Sequence, residues 1–279
     1  MIEIIQEKCS ACGLCVDLCH ESCITLQGRQ VQIDRTVCST CTQCVAACPT
    51  RALHWNQTPP EKFERTRLPT TDQLDELFKE RRSIRNFKRE KIDRALLQEI
   101  AGYGAYAPTH AFSLRAVLVD EEYLIAILDQ TIVNYCRWIY RLGYTPLGSL
   151  LASLFGYADE MNKARPKLKA TLELGHAFQS MPTAFILIVG DKKVPLSEAS
   201  AQYALANMMY YAQAKEIGTC LWANGPLFID KNRRARQALG LTKNERIFGA
   251  MYLGIPAVRF SNKVAGKALP LQWNGTKAK

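Results

Sequence analysis

The chain contains no run of about 18 apolar residues, the length a membrane span needs, so no membrane-crossing segment and no membrane partner are expected. Its longest weakly polar stretch, Pro146 to Tyr157, is short and interrupted by glycine. Residues Met1 to Lys8 carry no apolar h-region, so no secretory signal is expected. No G-x-G-x-x-G follows the first apolar strand-like run, which leaves a doubly wound dinucleotide-binding fold unsupported. No nucleic-acid-binding motif accompanies the basic residues, so no nucleic-acid partner is expected.

What the chain has in abundance is cysteine. Eight of its 11 cysteines fall into one spacing used twice. Cys9, Cys12, Cys15 and Cys19 form the first run, and Cys38, Cys41, Cys44 and Cys48 form the second, followed by Pro49. Each reads C-x2-C-x2-C-x3-C, the bacterial run that holds a [4Fe–4S] cluster. Three close thiolates wrap one compact cube, and the fourth comes from the other run. The expected ligand sets are therefore Cys9, Cys12, Cys15 and Cys48 for one cluster, and Cys38, Cys41, Cys44 and Cys19 for the other. Single-electron chemistry follows. The plainer readings fit less well. Zinc ribbons use pairs of C-x2-C rather than triplets, and disulfide frameworks belong to short secreted chains. The two runs differ at their ends, with His20 standing where the second has Pro49. Cys23, four residues past Cys19, reads as a buried thiol, with an alternative cluster ligand as the other option.

The chain has 279 residues, 48% of them apolar, enough for one large or two modest packed domains. Reduced cluster cysteines without an export signal imply a cytoplasmic protein. The net charge of +10 comes from 36 basic and 26 acidic residues, but residues 1–60 hold only Lys8, Arg29, Arg35 and Arg51 against Glu3, Glu7, Asp17, Glu21 and Asp34. The basic excess lies beyond them. It suits an anionic cofactor or an acidic protein partner, or it is simply a soluble basic surface.

Residues 1–56 read as the cluster module, 57–69 as a linker containing Pro59, Pro60 and Pro69, and 70–279 as a second domain. Within the module, Ile24 to Ile33 alternates on both sides of Gly28, a hairpin signal. In the second domain, Leu74, Leu77 and Phe78 take helical spacing after Thr70-Thr71-Asp72. Asp93 is placed to cap a second helix, with Ile92 and Leu97 as its staple and an end near Gly102–Gly104. Ala116 to Val119, Phe185 to Val189 and Ile247 to Gly254 read as buried strands. Ser197 is expected to cap a long helix carrying Leu205, Met208, Met209 and Ala212, closed by Gly218. Helices and few, separated strands predict an α+β layer fold.

One segment of the second domain carries chemistry. Arg81-Arg82-Ser83-Ile84-Arg85 offers three guanidiniums and a hydroxyl within five residues, a grip suited to phosphate. A basic run at a helix C-terminus also complements the helix dipole, and that alone accounts for many such runs.

In context, the segment resembles the R-x-S-x-R entry motif of the nitroreductase-like flavoprotein family. Ala107-Pro108-Thr109 is similar to that family's loop beside its flavin. Met181-Pro182 leads into the strand at Phe185. Ile217-Gly218-Thr219-Cys220 looks like its Gly-Leu-Gly-Ser/Thr-Cys turn. Leu253-Gly254-Ile255-Pro256, then Lys263, Lys267 and Trp273, is similar to its closing segment. With the cysteine module in front, the whole chain resembles ferredoxin–nitroreductase fusion proteins: a ferredoxin-like 2[4Fe-4S] module followed by an α+β flavin domain.

The resemblance implies FMN bound non-covalently at a homodimer interface. Arg81, Arg82, Ser83 and Arg85 would contact its phosphate, ribityl chain and ring edge. Lys263 and Lys267 would assist from the C-terminal segment. Backbone at Trp222, Ala223 and Asn224 would face the reactive ring nitrogen. Pro108, Thr109 and His110 would lie beside the flavin. The sequence departs from the family after Pro108. The usual Asn and Gln are absent from Thr109-His110-Ala111-Phe112-Ser113-Leu114-Arg115, where His110 or Ser113 is the available replacement, and Gly266 stands where an Arg is usual. Residues 121–180, with Tyr135, Arg137, Trp138, Tyr140 and Tyr144, read as a lid or pocket wall, or as an ordinary amphipathic helix.

The leading expectation is an oxidoreductase. A one-electron donor protein of ferredoxin or flavodoxin type feeds two [4Fe-4S] clusters, which feed FMN and then a small electrophilic, nitroaromatic-like substrate. The alternatives are a non-catalytic electron-transfer or sensor protein, and an enzyme that processes flavin or another cofactor precursor. No particular acid or base is singled out.

Overall fold

The computed structural model describes residues 1–109, 113–266 and 268–273. It forms two compact units. The first is Met1–Leu68 with Thr109 and Ser113; the second comprises Pro69–Pro108 and runs from Leu114 to the end of the described residues.

The first unit is a doubled motif. Strand β1 (Ile2–Ile4), helix α1 (Leu14–Asp17) and strand β2 (Ile24–Gln27) are followed by β3 (Gln30–Ile33), α2 (Gln43–Ala47) and β4 (Leu53–Trp55). A shift of 29 residues carries each cysteine of the first run onto one of the second. It also carries α1 onto α2 and β2 onto β4. β1 pairs with β4, and β2 pairs with β3, both antiparallel. Each half thus lends a strand to the other. The β2–β3 turn is Gly28-Arg29, with Gly28 at φ +60°, the first central position at which a tight hairpin demands glycine. Ile2, Ile24, Val31, Val45 and Leu53 fill a small core with Cys23 and Cys44.

The second unit is an antiparallel sheet between helices. Its elements are α3 (Thr71–Glu80), α4 (Arg94–Gly102), β5 (Arg115–Val119), α5 (Glu122–Gly143), α6 (Pro146–Leu154), α7 (Ala158–Leu174), β6 (Ala184–Asp191), α8 (Ser197–Ala214), β7 (Gly218–Leu221), α9 (Gly225–Lys231), α10 (Arg233–Ala238) and β8 (Glu245–Gly254). The sheet order is β5-β6-β8-β7. β6 is buried along nearly its whole length because helices cover both faces. Phe185, Leu187 and Val189 pack on one face with α5, α9 and α10. Ala184, Ile186 and Ile188 pack on the other with α4 and α8. Opposite Ile188/Val189 the register slips at Phe248. This bulge places Phe248, Met251 and Leu253 on the α8 face and Ile247, Ala250 and Tyr252 on the α5 face. Gln202 of α8 donates to the Phe248 carbonyl (3.2 Å), so the irregular backbone is satisfied.

The helix starts follow their caps. Thr70 accepts from Gln73 N, and Gln73 reciprocates, a capping box. Asp93 accepts from Ala95 N and Leu96 N, and Ile92 and Leu97 are buried in one cluster. Two expectations are corrected. Ser197 does not cap α8. It is the first helical residue, its hydroxyl donates to Val194 O, and Leu196 holds the cap position at φ +58°. Gly218 does not close α8 either; the helix ends at Ala214, and Gly218 opens β7. Among the described residues no helix is long and apolar enough to cross a membrane.

Candidate redox sites

In the first unit the cysteines gather into two groups of four. Cys9, Cys12, Cys15 and Cys48 line one recess. Cys19, Cys38, Cys41 and Cys44 line another, together with Cys23. The local chain is bent to make these recesses. Ala11 (φ +55°) and Thr40 (+56°) sit between the first two cysteines of each run. Gly13 (+78°) and Thr42 (+63°) follow the second, and Ser22 (+51°) and Arg51 (+54°) follow the fourth by three. Left-handed backbone costs a non-glycine residue roughly 1–2 kcal/mol, yet it recurs at equivalent places in both halves. Alternating right- and left-handed residues turn successive N–H groups into one concavity, the arrangement that receives anionic groups and iron–sulfur centres.

The donor chemistry agrees. All 11 cysteines are free. Burial pushes the Cys44 thiol up to about 11, and the nearby Cys41, Cys38 and Cys15 add to it. Burial, with Cys9 and Cys12, also raises Cys15. Crowded thiols of this kind give up their protons when a cation arrives to hold them. Cys48 is lowered. Burial would raise it, but the Thr50 hydroxyl and the Ala52 N–H (3.3 Å) outweigh that. Cys19 is lowered too, because the N–H and thiol of Cys23 with the Glu21 N–H outweigh its burial. Among the described residues no three His, Cys, Asp or Glu side chains are gathered as a single metal ion requires. Zinc would draw four thiolates to about 2.3 Å from one point.

In the second unit the basic segment leaves α3 at Arg81 and runs beside the β7 edge. Ile84 N donates to Thr219 O (2.9 Å), Lys88 N donates to Ile255 O (2.9 Å), and Phe87 bridges to Pro256. Arg82, Ile84 and Lys88 face a recess of about 1100 Å³ that also takes Gly218, Arg259 and Phe260. Arg82 donates to the carbonyls of Lys79 (2.6 Å) and Arg81 (2.7 Å). Arg85 and Phe87 turn the other way, toward Tyr252. Burial pushes the Tyr252 phenol up, the Cys220 thiol adds to this, and Arg85 acts against it. Trp222 is a core residue rather than a surface one. It is buried between Phe178 and Phe185 and packs closely over Gly225. Ala223 and Asn224 are exposed in the turn before α9. Lys263 pairs with Glu76, whose carboxylate raises the ammonium's pKa. Pro108 and Thr109 follow the buried Ala107. His110 and Lys267 lie outside the described residues.

Several residues of this region carry no sequence signal. Ser180 accepts from Phe87 N (2.8 Å) and donates back to Phe87 O (3.1 Å), which pins the basic segment from behind. Asp129 is buried on α5 and accepts from His176 Nδ1 (2.8 Å) and Ala177 N (2.7 Å). Only the fold brings these pairs together. On α6, Leu147, Leu150, Leu151 and Leu154 form an apolar stripe that faces outward, with Phe155 and Tyr157 exposed beyond it.

A cysteine-lined cluster unit joined to an α+β sheet domain with an arginine segment along one edge defines a redox protein of two parts. A model described as the nitroreductase family matches residues 78–255, more than half of the chain, and the chain belongs to that family. A model described as a 4Fe-4S binding domain matches residues 31–54. The Bacillus subtilis (strain 168) protein YfhC, provisionally named an NAD(P)H nitroreductase, is 24% identical over 202 residues, covering 68% of this chain and 90% of its own. A nitroreductase with bound FMN from Bacteroides fragilis NCTC 9343 aligns with TM-score 0.51 and 18% identity, over 72% of this chain and 100% of its own. Another with bound FMN, from Desulfitobacterium hafniense DCB-2, aligns with TM-score 0.50 and 17% identity, over 71% and 97%. At these identities the structural matches speak to fold.

Proposed function

We propose that the chain is an iron–sulfur flavoprotein oxidoreductase that relays electrons from two [4Fe-4S] clusters to FMN and on to a small electrophilic substrate. The observation that carries the reading is the doubled cysteine motif, with four thiols around each recess and left-handed residues repeated at matching places. Family membership of the second unit supports the flavin half. Bound clusters supply single-electron steps, and bound FMN supplies two-electron reduction of an organic substrate.

The chain's own part is to hold and tune. Cys9, Cys12, Cys15 and Cys48 hold one cluster, and Cys38, Cys41, Cys44 and Cys19 hold the other. Arg81, Ser83 and Arg85 take the FMN phosphate and ring edge, since residues two apart on an extended segment share a side, and Arg85 is on the side away from Arg82. Trp222, packed with Phe178 and Phe185, forms a dry wall behind the Ala223–Asn224 backbone. Residues 1–56 form the cluster domain, 57–69 the linker and 70–279 the flavin domain. The protein acts in the cytoplasm, where its free cysteines stay reduced, as a homodimer served by a ferredoxin- or flavodoxin-type donor.

The test is anaerobic purification of the full chain with iron, sulfide and flavin assays. Roughly eight irons per chain are expected, as two four-iron centres require, with flavin released on denaturation. Iron near that value with no flavin at any stage of reconstitution overturns the enzyme reading. Iron far below it overturns the relay.

A further inference from the structure

The two halves of the first unit match at every cluster cysteine but differ in what stands behind the fourth. The 29-residue shift that carries Cys19 onto Cys48 carries Cys23 onto Ala52. One half therefore has a thiol where the other has a methyl group. Ala52 donates its backbone N–H to Cys48 Sγ (3.3 Å), and its side chain offers nothing further. Cys23 offers its backbone N–H to Cys19 and adds its side chain, with the two sulfurs 3.4 Å apart. Cys23 is 5% exposed and lines the same recess as Cys38, Cys41 and Cys44. Its thiol also contacts Cys38.

We propose that Cys23 is a positioning residue that donates an S–H hydrogen bond to the sulfurs of the cluster held by Cys19, Cys38, Cys41 and Cys44, and thereby raises that cluster's reduction potential. This rests on the two-cluster reading. A cluster-bound thiolate has no proton, so only Cys23 can be the donor in the 3.4 Å contact. Cys19 and Cys38 belong to the same ligand set, so either acceptor gives the same result. Reduction adds negative charge to the cluster, and a donor aimed at its sulfurs stabilises the reduced form more than the oxidised one. Ala52 gives the partner cluster no equivalent thiol; the side-chain donor there is the Thr50 hydroxyl, 3.6 Å from Cys48 Sγ.

The experiment is an EPR-monitored redox titration of the full chain, with iron counted in the same samples, for wild type, Cys23→Ala and Cys23→Ser. Wild type is expected to reduce in two separate one-electron steps. Cys23→Ala removes the thiol donor and should move one of the two steps to lower potential, leaving the other step and the iron content unchanged. Cys23→Ser keeps an O–H donor and should leave that step near its wild-type potential. If Cys23→Ala moves neither step, the donor role is wrong. If Cys23→Ala loses about half the iron, Cys23 is a ligand and the proposal is overturned. If wild type itself holds one cluster or none, it is the two-cluster reading that fails, and the iron count alone reveals this.

Discussion

Ile84 lies directly against Gly218. A Cβ on that glycine would fall 2.8 Å from Ile84 Cγ2 and 3.0 Å from Ile84 Cβ, while the adjacent backbone bond from Ile84 N to Thr219 O is 2.9 Å. The basic segment is thus seated on the first residue of β7 by close approach of two backbones. Branching at Ile84 Cβ leaves little room to yield. Gly218→Ala should cost roughly 1–3 kcal/mol through overpacking and lift Arg81–Arg85 from the sheet edge. Lower thermal stability and lower flavin content after purification are expected. A variant with wild-type stability and flavin would mean that this contact does not seat the segment.

The alternation along that segment separates its arginines. Arg85 reaches Tyr252, whereas Arg82 is bonded to the carbonyls of Lys79 and Arg81. Arg81→Ala and Arg85→Ala should each release flavin and leave the brown iron–sulfur absorbance intact. Arg82→Ala should retain most of the flavin. The ratio of flavin to iron absorbance in the three purified proteins checks this, and loss of flavin in Arg82→Ala alone would reverse the assignment.

Asp129 is a buried carboxylate whose partner His176 is exposed. Asp129 is 1% exposed and accepts from both His176 Nδ1 and Ala177 N. Asp129→Ala leaves the part-buried Ala177 N–H without its acceptor and opens a gap in the core, and should cost about 1–3 kcal/mol. Asp129→Asn keeps an acceptor for Ala177 N and should cost less. Urea denaturation of the three proteins distinguishes them; equal midpoints would show that the pair contributes nothing to stability.

Where chemistry and spacing coincide in the chain, the structure is readable from it. The cluster runs, the Gly28 hairpin, the Thr70 and Asp93 caps and the three strands all rest on local signals: thiol spacing, a glycine at a tight turn, a side chain facing free N–H groups, apolar runs; β6 and β8 are buried as expected, but β5 is an edge strand buried only at Val119. What is not readable depends on distant pairs. Ser180 meets Phe87 across 93 residues, and Asp129 meets His176 across 47. Nothing near Ser180 or Asp129 in the sequence announces either partner. Ser197 misleads for a related reason. It resembles a cap, but its hydroxyl turns back to Val194 O, and Leu196 accepts the left-handed turn instead. Trp222 lies in the turn expected to face the flavin, yet its indole is absorbed into the core by Phe178 and Phe185.

Arg115 and Glu245 set the acid limit of the sheet domain. Arg115 Nε donates to Glu245 Oε1 (2.7 Å) across the intervening strand β6. That hydrogen bond, followed by one from Thr242 N, lowers Glu245 from an ordinary 4.5 to about 2. A carboxylate with a lowered folded-state pKa stabilises the fold fully above its unfolded value and loses that contribution as pH falls through the folded one. The contribution of Glu245 is therefore complete at pH 6, declines below about pH 4.5 and is gone near pH 2. Glu245→Gln cannot titrate. It should be less stable than wild type at pH 6, and the gap should narrow steadily as the pH is lowered toward 2. Urea midpoints followed by tryptophan fluorescence between pH 6 and 2.5 measure that gap, and a difference constant across the range would remove the Arg115 bond as its cause.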